Sequence, residues 1–151
     1  MRTRGIPPIA VVALVATLFV TAPSAPAQAS VRTNQRDRLL KLVNASRERH
    51  GLRPLRLDSA LSDYAYRHSD NMCADFSLYH STTLTARITS TTSASWWGEN
   101  IAFAGSLKGI RRLWMRSAPH RENILNPHYR HAGVGVYDGR GYLWATFDFY
   151  G

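Results

Sequence analysis

Gly133-Val134-Gly135-Val136-Tyr137-Asp138-Gly139-Arg140-Gly141-Tyr142-Leu143-Trp144-Ala145-Thr146-Phe147-Asp148-Phe149-Tyr150 is the stretch on which the fold turns. Small and β-branched residues alternate in its first part, Asp138 to Gly141 has hairpin-turn chemistry, and period-two alternation resumes from Tyr142. Leu143, Ala145, Phe147 and Phe149 share one strand face, against Tyr142, Trp144, Thr146 and Asp148 on the other. A terminal antiparallel hairpin needs a cover for its apolar side, and the residues upstream supply helices.

Leu39, Leu40 and Val43 recur at helical spacing between about Asn34 and His50, and Gly51 suits the helix C-terminus. Ser30 to Asn34 is expected to be a loose polar approach, and Gly51 to Leu55 a connector. Asp58 is placed to cap a second helix, with Leu61, Ala65, His68 and Met72 along one face. A histidine on such a face is expected to be a hydrogen-bonded core residue. Leu84 and Ile88 predict a short amphipathic helix inside the Ser/Thr-rich stretch 81–95. Trp96 to Phe103 reads as a strand, and Trp96-Trp97 should leave one indole exposed, since neighbours on a strand face opposite ways. Ser106 caps a further helix with Leu107, Ile110, Leu113 and Trp114 on its apolar face; Pro119 is expected to end it, and His120 to Leu125 to form one helical turn. Helices first and a hairpin last make the fold class α+β.

The 151 residues carry a net charge of +9, almost entirely from arginine. No basic patch interleaved with aromatics appears, which argues against nucleic acid as a partner; an anionic envelope polymer or acidic headgroup remains compatible with the charge. Arg2 and Arg4, the apolar run Ile9 to Val20 and Ala27-Gln28-Ala29 read as a signal peptide over residues 1–29, cleaved after Ala29, leaving one domain over 30–151 and a secreted, extracellular protein. The run is short of the ~20 residues that span a bilayer, so no transmembrane segment is expected after cleavage. Cys73 is the single cysteine, so no internal disulfide forms, and a helical context next to Met72 predicts a buried small hydrophobe.

The candidate chemistry lies in His80-Ser81, Gly98-Glu99-Asn100-Ile101 and Trp114-x-x-Ser117-x-x-His120-Arg121-x-Asn123-Ile124-Leu125. Two imidazoles and a carboxylate near element ends can converge on one cleft as metal ligands or acid/base groups. Zinc accepts that ligand chemistry, but the compact His-Glu-x-x-His signature of a metal hydrolase is missing. A structural alternative has Glu99 pairing with a histidine to fix the loops. Ser81 or Ser117 as a nucleophile lacks the Gly-x-Ser-x-Gly elbow. Asn100 and Asn123 read as scaffolding, and Arg121 as the partner of a carboxylate.

In order along the chain, Val43-Asn44-x-x-Arg47, Gly51-Leu52-x-Pro54-Leu55-x-Leu57-Asp58, Ala65-x-x-His68-Ser69-x-x-Met72, His80-Ser81, Gly98-Glu99-Asn100-Ile101, the Trp114 to Leu125 motif and Gly133-Val134-Gly135-Val136 resemble the CAP superfamily, the cysteine-rich secretory protein, antigen 5 and pathogenesis-related 1 (SCP) domains. The resemblance implies a three-layer α-β-α sandwich with a small, mainly antiparallel sheet and a central cleft. It assigns His80 and His120 as the cleft histidines and metal ligands, and Glu99 as the glutamate of the Gly-Glu-Asn motif. The family's second glutamate, expected a few residues after the first histidine, has no counterpart in Ser81 to Thr85. A non-catalytic binding module is implied, with no required cofactor, a divalent metal such as zinc held weakly, and lipid, sterol-like molecules or an envelope component as ligand classes. The alternative is a metal-dependent extracellular peptidase using His80, Glu99 and His120.

Overall fold

A computed structural model describes residues 25–151. In order, it contains α1 (Ala25–Glu48), β1 (Arg56–Leu57), α2 (Ser59–Asp75), α3 (Leu84–Thr91), β2 (Trp97–Ala104), α4 (Leu107–Arg116), α5 (Ala118–Leu125), β3 (His131–Gly139) and β4 (Tyr142–Tyr150). The sheet runs β1-β3-β4-β2, antiparallel throughout except for the short parallel β1–β3 pair. The expected hairpin is present. Gly139 pairs with Tyr142, and Arg140 and Gly141 form a two-residue turn with φ of 55° and 80°, the backbone twist that matches a right-handed hairpin.

Helices cover both faces, so both sides of β4 are buried rather than one. Ala145, Phe147 and Phe149 join Val134, Val136 and Ala132 in a core closed by Leu39 and Val43 of α1, Ile110 and Trp114 of α4 and Ile124 of α5. On the opposite face Trp144 and Ile101 pack with Met72 and Cys73 of α2, while Leu61 packs with Leu84 and Ile88 of α3. Cys73 is a buried free thiol, as its helical setting predicts. Glycines alternate with valines in β3 because the two faces differ: the valines fill the α1/α4/α5 core, and the glycines let the α2 backbone rest on the sheet.

Asp58 caps α2 through a 2.9 Å bond from the Leu61 amide, and Ser106 caps α4 at Gly109. Three local expectations need correction. Residues 30–34 are helical, part of α1, rather than loose. β1 is a parallel strand inside what reads as a connector, and two residues carry no period from which to recognise it. Pro119 does not terminate α4; Ser117 closes that helix, and Pro119 lies in the first turn of α5, where its missing N–H costs nothing. The stretch from His120 is thus part of an eight-residue helix. Residues 1–24, with the basic and apolar parts of the expected signal peptide, lie outside the described residues, and the expected cleavage point after Ala29 falls within α1.

Candidate functional site

Glu99 is the centre of the site. Strand β2 presents it on the α2 side of the sheet, where its side chain is almost wholly covered. Its Oε1 accepts from the backbone amide of Ser81 at 3.0 Å and lies 2.6 Å from His80 Nδ1. A carboxylate oxygen can only accept, so the contact assigns His80 a hydrogen on Nδ1 and leaves Nε2 free of it. The ring itself is well exposed, at 62% of its side-chain surface. Glu99 therefore ties down the loop that follows α2 and orients the histidine at its edge.

His68 also belongs to this cluster. The sequence makes it a hydrogen-bonded core residue, and its Nε2 does lie 2.8 Å from the Tyr79 carbonyl oxygen. The same nitrogen is 3.8 Å from Glu99 Oε2, so the core histidine forms the inner wall of the site. Ser81 is held in turn by the Tyr64 hydroxyl, which also bonds Thr83 at 2.8 Å. Tyr64, His68, Tyr79, His80, Ser81 and Thr83 line a depression of about 340 Å³ beside Glu99.

His120 approaches from α5. Its Nδ1 is 2.9 Å from Ser117 Oγ, and its carbonyl oxygen accepts from Asn100 Nδ2 at 2.9 Å. Asn123 completes the link, donating to Asn100 Oδ1 at 2.9 Å and to the Glu99 carbonyl at 3.3 Å. Two asparagines thus fasten the first turns of α5 to β2 and set where the His120 ring stands. Their role as scaffolding is the one their chemistry suggests. Among the described residues no carboxylate pairs with Arg121; its guanidinium lies 3.4 Å from His50 Nε2.

Burial first, and then the neighbouring His80, push the His120 pKa below the ordinary imidazole value. The folded state therefore binds a proton less readily than the unfolded chain. The stability tied to this group is complete above about pH 6.5 and declines as pH falls through that value toward the lowered one. His120→Asn is accordingly expected to remove part of the stability loss between about pH 7 and 5, checked by urea melts of both proteins at each pH.

His80 contacts Glu99, and His120 lies close enough for the two imidazoles to influence each other. Among the described residues, however, no group of three or more His, Cys, Asp or Glu side chains is placed to hold a metal ion. A catalytic zinc takes three protein ligands and one open position. Here Glu99 is engaged inward, and the outward donors are two imidazole nitrogens. The donor set does not fit a protein-caged zinc.

Around the rim, both indoles of Trp96-Trp97 are partly exposed. Trp96 stacks on His128 with ring centroids 4.2 Å apart, beside a second hollow lined by Arg121, Glu122, Leu125 and Pro127. Trp114 and Trp144 are core. What the sequence does not disclose is Asp148, directly opposite Glu99 across the β2–β4 ladder and fully buried. Its place on the strand face that bears Trp144 and Thr146 was the available signal.

The family model described as the cysteine-rich secretory protein family matches residues 40–149. The uncharacterized protein YkwD of Bacillus subtilis (strain 168) is 34% identical over 138 residues, covering 82% of this chain and 49% of its own length. The chain thus spans about half of that relative. An extracellular protein containing an SCP domain from Bacillus anthracis str. Ames superposes with a TM-score of 0.68 at 30% identity, covering 86% of this chain and 45% of that one. An outer surface protein of Borrelia burgdorferi shares the fold, with a TM-score of 0.68 at 18% identity, over 78% of this chain and 92% of that one. With the family model matching most of the chain and the curated relative above 30% identity, the chain belongs to the cysteine-rich secretory protein (CAP) family.

Proposed function

We propose that this protein is an extracellular, non-catalytic binding module whose cleft, marked by His80, Glu99 and His120, takes a polar ligand from the cell envelope. One observation carries the reading: the Glu99 side chain is almost wholly covered, with one carboxylate oxygen engaged and the other buried. Oε1 holds His80 and the Ser81 amide, and Oε2 is shielded from solvent. A general base must reach the water it activates, and this carboxylate faces the fold instead. The depression beside it is walled by hydroxyls, imidazoles and two phenols. That composition favours a hydrogen-bonding ligand over a lipid, which needs apolar walls. The 81–95 segment supplies none, because Leu84 and Ile88 are buried in their own core. The extracellular setting is supported by the export-like start of the sequence and by the Bacillus anthracis relative, itself an extracellular protein.

The test is co-sedimentation of the full chain with purified cell-wall glycan at low and high salt. His80→Ala/His120→Ala is expected to weaken retention about tenfold, the scale of two hydrogen bonds. Retention that salt abolishes, with no effect of the double variant, would assign binding to the basic surface instead. Peptidase as the second reading rests on the outward His80 Nε2 and on the lowered His120 pKa, which favours the neutral ring that ligates metals. Stoichiometric zinc in calorimetric titration, together with peptide hydrolysis lost in Glu99→Gln, would establish it in place of the binding role.

A further inference from the structure

Among the described residues, three carboxyl oxygens lie buried without a conventional donor: Glu99 Oε2 and both oxygens of Asp148. The two residues are direct partners in the β2–β4 ladder, so their side chains stand side by side on the same face of the sheet. Two ionised carboxylates could not remain so. Each would lose its hydration, and each would repel the other.

We propose that Asp148 is a positioning residue of the cleft, a neutral carboxylic acid that donates its hydrogen bond to Glu99 Oε2 and thereby fixes the Glu99 headgroup beneath His80. The proposal rests on the cleft described above and deepens it. One proton on Asp148 satisfies Glu99 Oε2 and one Asp148 oxygen together. Only the carbonyl oxygen of a neutral acid then lacks a partner, the least costly of the three to leave.

The groups around Asp148 agree. Glu99 faces it from β2 and His68 approaches the pair from α2, while Gly133, its partner on β3, brings no side chain. Arg87 of α3 is the cation that favours the ionised form, but it is the smallest influence; burial and Glu99 hold the carboxyl well above its usual range. With Oε2 tied to Asp148, Oε1 is left for His80 Nδ1–H, and in the neutral ring Nε2 is then the hydrogen-bond acceptor. The ligand that the neutral His80 ring selects is a donor: a hydroxyl, amide or ammonium group.

Difference infrared spectroscopy of the full chain near pH 7 tests the proton directly. The parent should show the carbonyl stretch of one protonated carboxylic acid that Asp148→Asn lacks. Nitrogen NMR of His80 tests the positioning. Asp148→Asn, whose amide can donate in place of the acid, should keep the Nδ1–H tautomer, and Asp148→Ala should lose its dominance. Absence of the protonated-acid band in the parent would overturn the proposal. So would Asp148→Asn disturbing the His80 tautomer as much as Asp148→Ala does. Should Asp148→Ala fail to fold, the band and the asparagine variant still decide. None of these readouts requires a ligand, so this inference and the binding role fail separately.

Discussion

Arg47→Met should unfold this protein in markedly less urea than the parent, with a loss of about 4 kcal/mol, roughly 1 kcal/mol for each of the four carbonyls left without its donor. Arg47 is 1% exposed, and no carboxylate pairs with it among the described residues. Its guanidinium is solvated by backbone instead: Arg53 at 2.9 Å, Ile124 at 2.8 Å, Asn126 at 2.9 Å and Tyr129 at 3.2 Å, all through carbonyl oxygens. Burial, and then Arg130, lower its pKa, which records the cost of holding a cation there. Methionine fills much of the volume but strands four acceptors. Against a typical total of about 5–15 kcal/mol, the loss is a large fraction. Two of the carbonyls end α5, so the variant should also loosen the helix that carries His120. Arg47→Lys is expected to recover only part, because an ammonium cannot reproduce the planar fork. A loss below about 1 kcal/mol would show that the carbonyls are satisfied in another way.

Gly135→Ala is expected to cost about 3 kcal/mol or more, at the upper end for overpacking. A Cβ at this position would collide with the Ala65 carbonyl carbon and the Tyr66 amide nitrogen of α2, far inside van der Waals contact. Both are backbone atoms, so no rotamer change relieves the clash; the helix must lift from the sheet. Lifting α2 would also carry His68 away from Glu99. Gly105→Ala is the matched control, with open space around its Cβ and near-neutral stability expected. Thermal melts of the three proteins decide the matter, and equal melting temperatures would mean that α2 does not press on β3 as described.

Much of the site's architecture was legible because it is local. Gly98-Glu99-Asn100 on a strand and Ser117 three residues before His120 in the next helix define contacts within one or two elements. Asn123 is recognisable as scaffolding for the same reason, since one helical turn fixes its distance from His120. His68 was only half legible. Its helical register correctly buries it against a carbonyl, but nothing in that register says that β2 brings a carboxylate to 3.8 Å.

By itself the chain determined what repeats at short range: the alternation of the terminal hairpin, the apolar faces of the helices, the capping residues Asp58 and Ser106, and the family motifs. Each is set by side chains a few residues apart obeying a helical or strand period. Only the tertiary structure decided the partners of Arg47, the parallel β1, the start of α5 at Ala118–Pro119 and the meeting of Asp148 with Glu99. Those depend on which elements pack together. A buried acid acquires its character from a neighbour 49 positions away, whose identity no local period encodes.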